Sequence, residues 1–520
     1  MTPRNSLRNP RHCWIAAGVG IALVCVNPLL VFVVPMADET RYGVYAAVGC
    51  ASMAIGFMLL APAAILVTER FLGPLVAALL RLDRRLLAQQ LSGNLWRTLG
   101  TTVALTLGLG LFVAIQTWGY SMLEPFVPGN WSPDALVCIT EGGLPNEAVA
   151  DVARLKGIRP SRCLPVAVEQ PKLAEDITGS RERQSVARQD TVVMMGVEPE
   201  AALAGRDPVL NLRFVEGNRD GAIEAMRTRR GCIVPDHFAR TAGLGIGDSF
   251  CVLPPESPDK PVEYTVAGVV ALPGWHWMSK FSGVRRRDAR AAATIFASRN
   301  DVRRDFGLEK TNFIWFDLDA GADLDTVGEA IVPIAERFPG EKQPVNQQGK
   351  WDFAARMYGR MVRITTPEMT TDRIDSRADS MIWSMCHLPL ITLLVTSLGV
   401  VNAVLASVRA RRWEMGVLRA VGVTRFALVR MVLAESLLIG LVACVLSLGF
   451  GLTAGWCGMG ISEYVSFFGG LAPSLVVPWK SLVIGVGATV SLCLLAGLWP
   501  AVSTGLAEPL RLLQAGRSAM

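Results

Sequence analysis

The residue types that usually carry out catalysis or bind metals are scattered through this sequence. Zinc and hydrolase sites place histidines and cysteines at short, regular spacings such as H-E-x-x-H, but the four histidines lie far apart, at His12, His237, His276 and His387. The sequence also lacks G-x-x-x-x-G-K-[ST], the loop that holds the phosphates of ATP. We therefore predict that the chain is not an enzyme, does not hydrolyse ATP, and holds no metal or cofactor of its own.

One stretch of the chain, Asn402 to Arg425, is strongly basic and lies between two apolar runs. Five arginines and a single acid occupy it: Arg409, Arg411, Arg412, Arg419, Arg425 and Glu414. Apolar runs flank it, from about Leu388 to Val408 and from about Leu428 to Trp456, and each can cross a hydrocarbon core of about 30 Å as a helix. Because cytoplasmic loops collect Lys and Arg, we predict a short cytoplasmic helix over 409–425. A basic loop that only fixes the topology would carry the same charge.

The composition predicts membrane spans together with a large aqueous domain. Hydrophobic residues make up 51% of the chain, with a mean hydropathy of +0.36, yet 18% of the residues are charged. Apolar runs long enough to span a bilayer lie at about 14–35, 44–67, 99–119, 388–408, 428–456 and 482–502. Much of the net charge of +6 comes from arginines beside these runs, so it indicates topology and no nucleic-acid partner.

The first two runs predict a transmembrane hairpin over 1–68. The first run follows Arg4, Arg8 and Arg11 and has no small-residue cleavage site after it, so we expect a retained span and not a signal peptide. Residues 69–97 interleave leucines with arginines, which is typical of an amphipathic cytoplasmic helix lying in the membrane interface. The first span of the core follows at 98–120.

The residues from 121 to 384 predict an aqueous α+β domain. No window there is apolar enough to span a bilayer, and β-branched runs alternate with turn clusters and helical stretches. The order of elements is a β-α-β unit, a strand-rich middle and a final β-α unit. This order predicts one lobe at about 133–170 and 311–365, interrupted by a second lobe at about 171–310.

The aqueous domain contains four cysteines, Cys138, Cys163, Cys232 and Cys251. An extracytoplasmic domain lies in an oxidising compartment in most bacteria, where disulfides persist. Cys138 and Cys163 sit on two predicted strands that bracket a helix, and Cys232 and Cys251 sit on consecutive predicted strands. We therefore hypothesise two disulfides, Cys138–Cys163 and Cys232–Cys251, with four buried thiols as the alternative.

The same domain carries a cluster of large apolar side chains in a predicted loop over 273–281. Its members are Trp275, Trp277, Met278 and Phe281. Such side chains could contact lipid headgroups, an acyl chain or a partner protein. They could equally fill the seam between the two lobes, and the sequence leaves both interpretations open.

The basic stretch resembles a known family. Its pattern N-x-x-L-x-S-V-x-x-R-x-x-E-x-G-x-L-R-A-x-G, from Asn402 to Gly422, is similar to that of permease subunits of FtsX-like ABC transporters. That group (type VII) includes lipoprotein-release permeases and MacB-type macrolide-efflux permeases. The stretch LLAQQLSGNLWRTLG, the ending WPAVSTGLAEPLRLL and, in the aqueous domain, GCIVPDHFARTAGLGIGDSF also resemble the family.

The apolar runs and the resemblance together predict a membrane α-helical fold of six transmembrane helices with a large extracytoplasmic α+β domain of two lobes. Four of the helices would form an FtsX-like core at 98–120 and 385–503, the MacB-like domain would occupy 121–384, and 504–520 would form a cytoplasmic tail. In the family, the short cytoplasmic helix couples the permease to its ATPase. The residues of this sequence implied in coupling are Arg409, Arg412, Glu414, Gly416, Arg419, Gly422 and Arg425.

The resemblance also implies partners and a function. An ABC ATPase dimer in a separate subunit would bind ATP and Mg, and a second permease core would come from homodimerisation or from a partner permease chain. Membrane lipid, a periplasmic adaptor or an outer-membrane protein would be further partners. The chain would lie in the inner membrane, where the distribution of arginines predicts both termini in the cytoplasm. It would export or extract a hydrophobic or lipidated substrate. An FtsX-like scaffold that regulates a cell-wall hydrolase or another extracytoplasmic partner is the alternative.

Overall fold

The computed structural model describes residues 10–82, 95–179, 189–285, 291–342, 354–462, 464 and 473–508. The chain divides into two compact units. The helical unit comprises Met1–Ser121, Ser380–Ser462 and Leu475–Met520, and the sheet unit comprises Met122–Asp379 and Glu463–Ser474.

The elements are numbered in chain order. The α-helices are α1 (Pro10–Phe32), α2 (Asp38–Val44), α3 (Cys50–Leu79), α4 (Leu95–Leu123), α5 (Asn146–Ala153), α6 (Pro199–Leu203), α7 (Arg219–Thr228), α8 (Asp236–Ala242), α9 (Trp275–Phe281), α10 (Arg299–Asp305), α11 (Leu324–Ala335), α12 (Pro367–Ala410), α13 (Arg412–Ala420), α14 (Arg425–Ser462) and α15 (Trp479–Leu506). The strands are β1 (Ala135–Ile139), β2 (Ile158–Glu169), β3 (Lys172–Leu173), β4 (Thr191–Val197), β5 (Arg213–Glu216), β6 (Gly231–Pro235), β7 (Ser249–Leu253), β8 (Val262–Ala271), β9 (Ala291–Ser298), β10 (Phe313–Leu318), β11 (Arg356–Tyr358) and β12 (Val362–Thr365).

Six helical segments in the described part of the chain are long and apolar enough to cross a membrane. They run over Arg11–Phe32, Thr40–Leu79, Thr98–Phe126, Pro367–Ala410, Arg425–Ser462 and Trp479–Leu506. A helix can cross hydrocarbon because it satisfies its own backbone hydrogen bonds. Each run that the sequence predicts as a span is therefore confirmed as a long apolar helix.

α14 forms the centre of the helical unit. Its most apolar window is 78% buried, against 22% to 50% for the other five segments. Small residues bring the neighbouring helices close to it. A Cβ atom added to Gly451 of α14 would collide with Val113 of α4, and one added to Gly497 of α15 would collide with Ser436 of α14.

The N-terminal hairpin of α1 and α3 packs on another face of α14. Phe32 of α1 stacks on Trp456 with ring centroids 4.6 Å apart, and Phe57 of α3 meets Phe450 edge to face at 5.5 Å. Paired aromatic rings add to the favourable burial of apolar area. The hairpin is thus part of the packed helical unit and not a detached anchor.

α4 and α12 are also tightly packed against each other. A Cβ atom on Gly108 would lie only 2.9 Å from the Cα atom of Leu393, so the two backbones are close at that level. Toward the other end of the contact, Gln116 Nε2 donates a hydrogen bond of 3.3 Å to Cys386 Sγ. Residue numbers rise on α4 as they fall on α12, so the two helices run antiparallel.

The structure differs from the predicted boundary between a hairpin ending at 68 and an amphipathic helix over 69–97. α3 continues without a break to Leu79, because its buried face continues beyond the polar step at Thr68 to Val76 and Ala77. The first third of the predicted amphipathic helix is therefore the end of α3. Residues 83–94 lie outside the described residues, and α4 begins at Leu95.

The sheet unit contains an open antiparallel sheet with strand order β11-β12-β1-β10-β2. Successive residues of a strand point to opposite faces. On one face, Val137, Ile314 and Phe316 pack in one core with side chains of α5 and α11. On the other face, Leu136 and Trp315 join a core that includes side chains of α9.

The open sheet continues into a closed barrel through β2. The first part of β2, Ile158–Val166, pairs with β10, while Ala167–Glu169 pairs with β4. From there the order is β4-β3-β7-β8-β6-β9, and β9 pairs back with β4, which closes the ring. Closure covers the strand edges that an open sheet would expose. The chain thus leaves the open sheet after β2, builds the barrel, and returns with β10.

Candidate functional site

α13 is a short helix held at fixed angles between two long ones. Arg411, with φ −113° and ψ 16°, separates α13 from α12. At the other end Gly422 has φ +105°, and the amide of Val423 donates to the carbonyl of Leu418 at 3.0 Å, as in a glycine-terminated helix. Thr424 Oγ1 then accepts a 3.3 Å hydrogen bond from the amide of Ala427 and caps the start of α14.

The two faces of α13 differ sharply. Met415 and Gly416 are buried in the helical unit, whereas Arg412, Trp413 and Glu414 are exposed. This corrects the prediction that Gly416 belongs to the coupling surface. Gly416 lies on the buried, inward face of α13 and is not part of the surface that a partner could reach.

The only acid of the stretch makes the ion pair that its spacing predicts. Arg411 Nε donates a hydrogen bond of 3.0 Å to Glu414 Oε2, and the Glu414 side chain is 60% exposed. An exposed pair three residues apart on a helix contributes only about 0.3 kcal/mol. This contact therefore orients Glu414 without contributing much to stability, and the carboxylate remains accessible from solvent.

The other predicted coupling residues divide by exposure. Arg409, Arg412, Gly422 and Arg425 are exposed, whereas Arg419 is half-buried. The Nε atom of Arg419 has no hydrogen-bond partner among the described residues. The exposed arginines give this end of the helical unit a basic surface.

Sequence reasoning missed two apolar members of this surface. Val421 is 81% exposed and Phe426 is 77% exposed, and they lie on either side of Gly422. Trp413 on α13 is 55% exposed. In the sequence, these residues are large apolar side chains within an otherwise basic segment. They did not stand out, because a long apolar run begins only a few residues later.

The aromatic segment predicted as a loop is helix α9, and most of it is buried. Trp275, Met278 and Phe281 are between 2% and 7% exposed, and Trp277 stacks on Phe281 with centroids 5.4 Å apart. Their proposed contact with lipid or substrate is therefore wrong for the side chains that the structure buries. Apolar area of this size is buried in a core wherever the fold allows it.

α9 is bonded to both lobes of the sheet unit. Its last carbonyl, that of Phe281, accepts hydrogen bonds from Arg363 Nη2 at 2.6 Å and from Thr365 Oγ1 at 2.9 Å, both on β12 of the open sheet. On the barrel side, His237 of α8 stacks on Trp275 at 5.0 Å and donates from Nε2 to the Ala292 carbonyl at 3.1 Å. These contacts agree with the interpretation that the aromatic segment fills the seam between the two lobes.

The environment of His237 keeps its ring neutral. Burial lowers the pKa of His237 to about 4, although the carbonyl of Ala292 and the carboxylate of Asp236 act in the opposite direction. The pKa is lowered because the charged imidazolium would lose its hydration in the buried site between the two lobes. The ring is thus a packing element of the seam at neutral pH.

The strand order contradicts both hypothesised disulfides. β10 lies between the strands of Cys138 and Cys163, and β8 lies between those of Cys232 and Cys251. Strands two positions apart are about 9–10 Å apart, beyond the roughly 7 Å between Cα atoms that a disulfide can bridge. Accordingly, Cys163, Cys232 and Cys251 are free thiols. Burial raises the pKa of Cys163 to about 12.

The described ranges contain no cluster of three or more His, Cys, Asp or Glu side chains that could hold a metal ion. Buried charged side chains of the sheet unit instead form hydrogen bonds and ion pairs with neighbouring strands and helices. Asp305, for example, accepts from Tyr264 Oη at 3.1 Å and from Arg230 Nη2 at 2.8 Å. The basic surface around α13 is therefore the arrangement with the clearest functional character.

Comparison with known proteins agrees with this division of the chain. Residues 98–334 match the MacB-like periplasmic core domain, and residues 388–505 match the C-terminal domain of FtsX-like permeases. Among solved structures, the chain is similar to the extracellular domain of the noncanonic ABC-type transporter YknZ from Gram-positive bacteria. That similarity has 12% identity and a TM-score of 0.25, and covers 41% of this chain and 96% of the other. No curated protein matches the sequence.

The two family matches lie in the order that the sequence motifs predict, with α13 inside the second of them. Together with the apolar helices, they identify a membrane protein with a large extracytoplasmic domain. This chain belongs to the FtsX/MacB-like permeases of ABC transporters.

Proposed function

We propose that this chain is the permease subunit of an ABC transporter whose ATPase is a separate protein. In this account the ATPase dimer binds ATP and Mg and docks on α13 in the cytoplasm. Closure of the dimer draws two copies of α13 together, one from each permease core. The second core comes from another copy of this chain or from a partner permease.

The observation that carries the proposal is the accessible face of α13. Glu414, Arg412 and Trp413 are exposed on a helix whose opposite face is buried and whose ends are fixed by Arg411 and Gly422. A helix clamped in this way transmits an applied force to the helices on both sides of it. A loop that only fixed the topology would need neither the buried inward face nor the fixed ends.

α12 provides the path from α13 to the extracytoplasmic domain. It is one continuous helix of 44 residues, from Pro367 to Ala410. At 1.5 Å per residue it is about 66 Å long, roughly twice the thickness of a hydrocarbon core. Its residues belong to both compact units, with the division at Asp379 and Ser380. A pull on α13 is therefore applied to an element that continues directly into the sheet unit.

The motion of α13 and α12 moves the extracytoplasmic domain. We propose that this domain thereby exports or extracts a hydrophobic or lipidated substrate, and that the substrate does not pass between the transmembrane helices. In a bacterial cell the chain would lie in the inner membrane with both termini in the cytoplasm. A periplasmic adaptor or an outer-membrane protein would receive the substrate.

The experiment is isolation of the intact complex. The full chain, expressed in its own host with an affinity tag, is purified in mild detergent and its partners and lipids are identified by mass spectrometry. We expect an ABC ATPase in an amount comparable to the permease, reduced in Glu414→Ala but unchanged in Glu329→Ala, a charge change on α11 of the sheet unit. Absence of any ATPase from the wild-type complex contradicts the proposal, and a co-purifying cell-wall hydrolase in place of substrate favours the scaffold function.

A further inference from the structure

Arg81 follows the end of α3, at a position where helices usually place glycine. The Leu82 amide donates to the Ala77 carbonyl at 2.8 Å and the Arg81 amide donates to the Ala78 carbonyl at 3.2 Å, which is the hydrogen-bond pattern of a Schellman cap. This cap needs a left-handed residue, and Arg81 has φ 51°. A glycine adopts that conformation without the steric cost that an arginine bears. An exposed and permanently charged side chain therefore stands here against the preference of the backbone.

Arg430 of α14 lies at the same junction, and its guanidinium is only partly used. Its Nη1 and Nε atoms donate to the carbonyls of Leu80 and Phe426, and Leu80 directly precedes Arg81 in the chain. These bonds occupy two of the five N–H groups of the guanidinium. Neither Arg81 nor Arg430 forms an ion pair with a carboxylate of the described residues. The ends of two neighbouring helices thus bring two positive charges together.

An exposed apolar stripe leads along α3 to this pair of arginines. Phe71, Leu75 and Leu79 follow one another at intervals of four residues, which places them on one face of the helix, and all three are exposed. On α14, Phe426 is exposed one turn before Arg430. All four apolar residues belong to candidate membrane spans. The stripe can therefore lie against an acyl chain, with the two arginines at the level of the phosphates.

We propose that Arg81 and Arg430 bind the phosphate of an anionic phospholipid, whose acyl chain lies along the exposed stripe of α3. The planar fork of a guanidinium matches the geometry of a phosphate. Two positive charges without a carboxylate partner in the described part of the chain favour a lipid of net negative charge. This site goes beyond the proposed function, because neither the ATPase nor the transported substrate takes part in it. It also depends on α3, which lies outside both family matches.

The bound lipid would join the N-terminal hairpin to α14. Each of the two helices supplies contacts, so a ligand that binds only the assembled pair stabilises the helical unit by mass action. The hydrogen bond from Arg430 to the Leu80 carbonyl holds the same two helices together from within the protein. Anionic lipid should therefore raise the unfolding midpoint of the purified chain more than zwitterionic lipid does.

Arg425 provides a matched control, because it is an exposed arginine on another side of α14. A Cβ atom added to Gly505 of α15 would lie 2.6 Å from the Val429 side chain and 3.2 Å from the Arg425 carbonyl. Residues 425 and 429 therefore lie on the side of α14 that meets α15. Phe426 and Arg430 lie one position further around the helix, on the side that meets α3.

The test measures binding of phosphatidylglycerol to the full-length chain, delipidated in mild detergent, by native mass spectrometry. We expect Arg81→Gly to weaken the tightest phosphatidylglycerol site about fivefold, the contribution of one arginine near an anionic surface. Without lipid, its unfolding midpoint should equal or exceed that of the wild type, because glycine relieves the strained cap. Arg425→Ala should bind as the wild type does. Phosphatidylcholine, which carries a phosphate but no net charge, should bind more weakly.

Two results of this titration would overturn the inference: unchanged affinity in Arg81→Gly, or an equal loss in Arg425→Ala. Because the titration uses the permease alone, either result leaves the proposed function intact. A photoreactive amino acid that replaces Leu79 then identifies what covers the stripe in native membranes. We expect a phospholipid adduct on the labelled peptide, and a protein adduct in its place would contradict the proposed site.

Discussion

Arg430 Nη1 on α14 donates a hydrogen bond of 3.2 Å to the carbonyl of Leu80, just beyond the end of α3. α3 ends with Arg81 in a left-handed conformation, φ 51°, and with the Leu82 amide bonded to the Ala77 carbonyl at 2.8 Å. A cation at the C-terminal end of a helix is favourable because the last carbonyls have no partner within the helix. The same guanidinium also donates to the Phe426 carbonyl at 3.3 Å. The N-terminal hairpin is thus joined to the first turns of α14.

Removing this link should destabilise the helical unit. Arg430→Ala leaves the Leu80 carbonyl without its charged donor, at a cost of about 1–2 kcal/mol. We expect a lower thermal unfolding midpoint for the purified full-length protein in a single detergent. Arg425→Ala, a change at an exposed arginine one turn earlier, should leave the midpoint nearly unchanged. Equal midpoints for the wild type and Arg430→Ala would show that the hairpin is held without this bond.

The turn before α9 should tolerate no side chain. Gly274 has φ +70°, and an added Cβ would collide with Pro128. Gly243 provides a matched comparison, because it has φ +65° but open space around it. Gly243→Ala should therefore cost about 1 kcal/mol from backbone conformation alone. Gly274→Ala should cost at least 1 kcal/mol more from the collision.

Chemical unfolding of the two glycine variants checks this prediction. The midpoint of Gly274→Ala should be clearly lower than that of Gly243→Ala, with both below the wild type. Equal midpoints would mean that the loop around Pro128 moves away freely. In that case α9 would not be fixed in the seam as the contacts indicate.

The seam between the lobes should weaken in acid through His237. Burial lowers its pKa in the folded protein to about 4 from an ordinary value of 6.5. Between these two values the unfolded chain binds a proton that the folded chain does not, so stability is complete above pH 6.5 and falls as the pH drops toward 4. A shift of this size corresponds to about 3 kcal/mol. Asp236, whose carboxylate lies 4.0 Å from Nδ1, reduces the loss.

His237→Gln removes the titration while keeping a donor for the Ala292 carbonyl. The difference in unfolding midpoint between the wild type and this variant should change between pH 7 and pH 4.5. Asp236, Arg240 and the ring of Trp275 are present in both proteins, so the difference isolates the imidazole. A difference that stays constant over this range would mean that His237 does not titrate there.

The thiols of the sheet unit should be reduced in the purified protein. Cys163, Cys232 and Cys251 should all react with maleimide in denaturant without a reducing agent, because the strand order holds the hypothesised partners apart. In the folded protein Cys232 should not react, since it is fully buried and burial raises its pKa. Mass spectrometry of the labelled protein gives the count. A Cys232–Cys251 peptide that appears only after reduction would contradict the strand order.

The features that depend on composition and short spacing could be predicted from the sequence. The spans were visible because hydrocarbon demands long apolar runs, and the pair of Arg411 and Glu414 was visible because residues three apart share a helix face. The cysteine pairs could not be predicted in this way. Neighbours in sequence need not be neighbours in a sheet, and β10 and β8 come between the strands that carry them.

Burial was the other property that the sequence did not reveal. Gly416 was assigned to a surface and the rings of α9 were left open between surface and seam, yet the structure buries Gly416 and most of the α9 side chains. A glycine beside charged residues has the same sequence signature whether it faces a partner or its own core. Conversely, the sequence analysis singled out only the charged residues and glycines of 409–425, and only the structure shows that Val421 and Phe426 beside Gly422 are exposed.

Photo-crosslinking from position 414 tests the central claim most directly. A photoreactive amino acid replaces Glu414 in the full-length chain, and a second protein carries it at Leu398, an exposed position of the membrane-spanning part of α12. After irradiation of native membranes, the account predicts a covalent adduct with the ABC ATPase from position 414 and none from position 398. An intact permease–ATPase complex that yields no ATPase adduct from position 414 would contradict docking at α13.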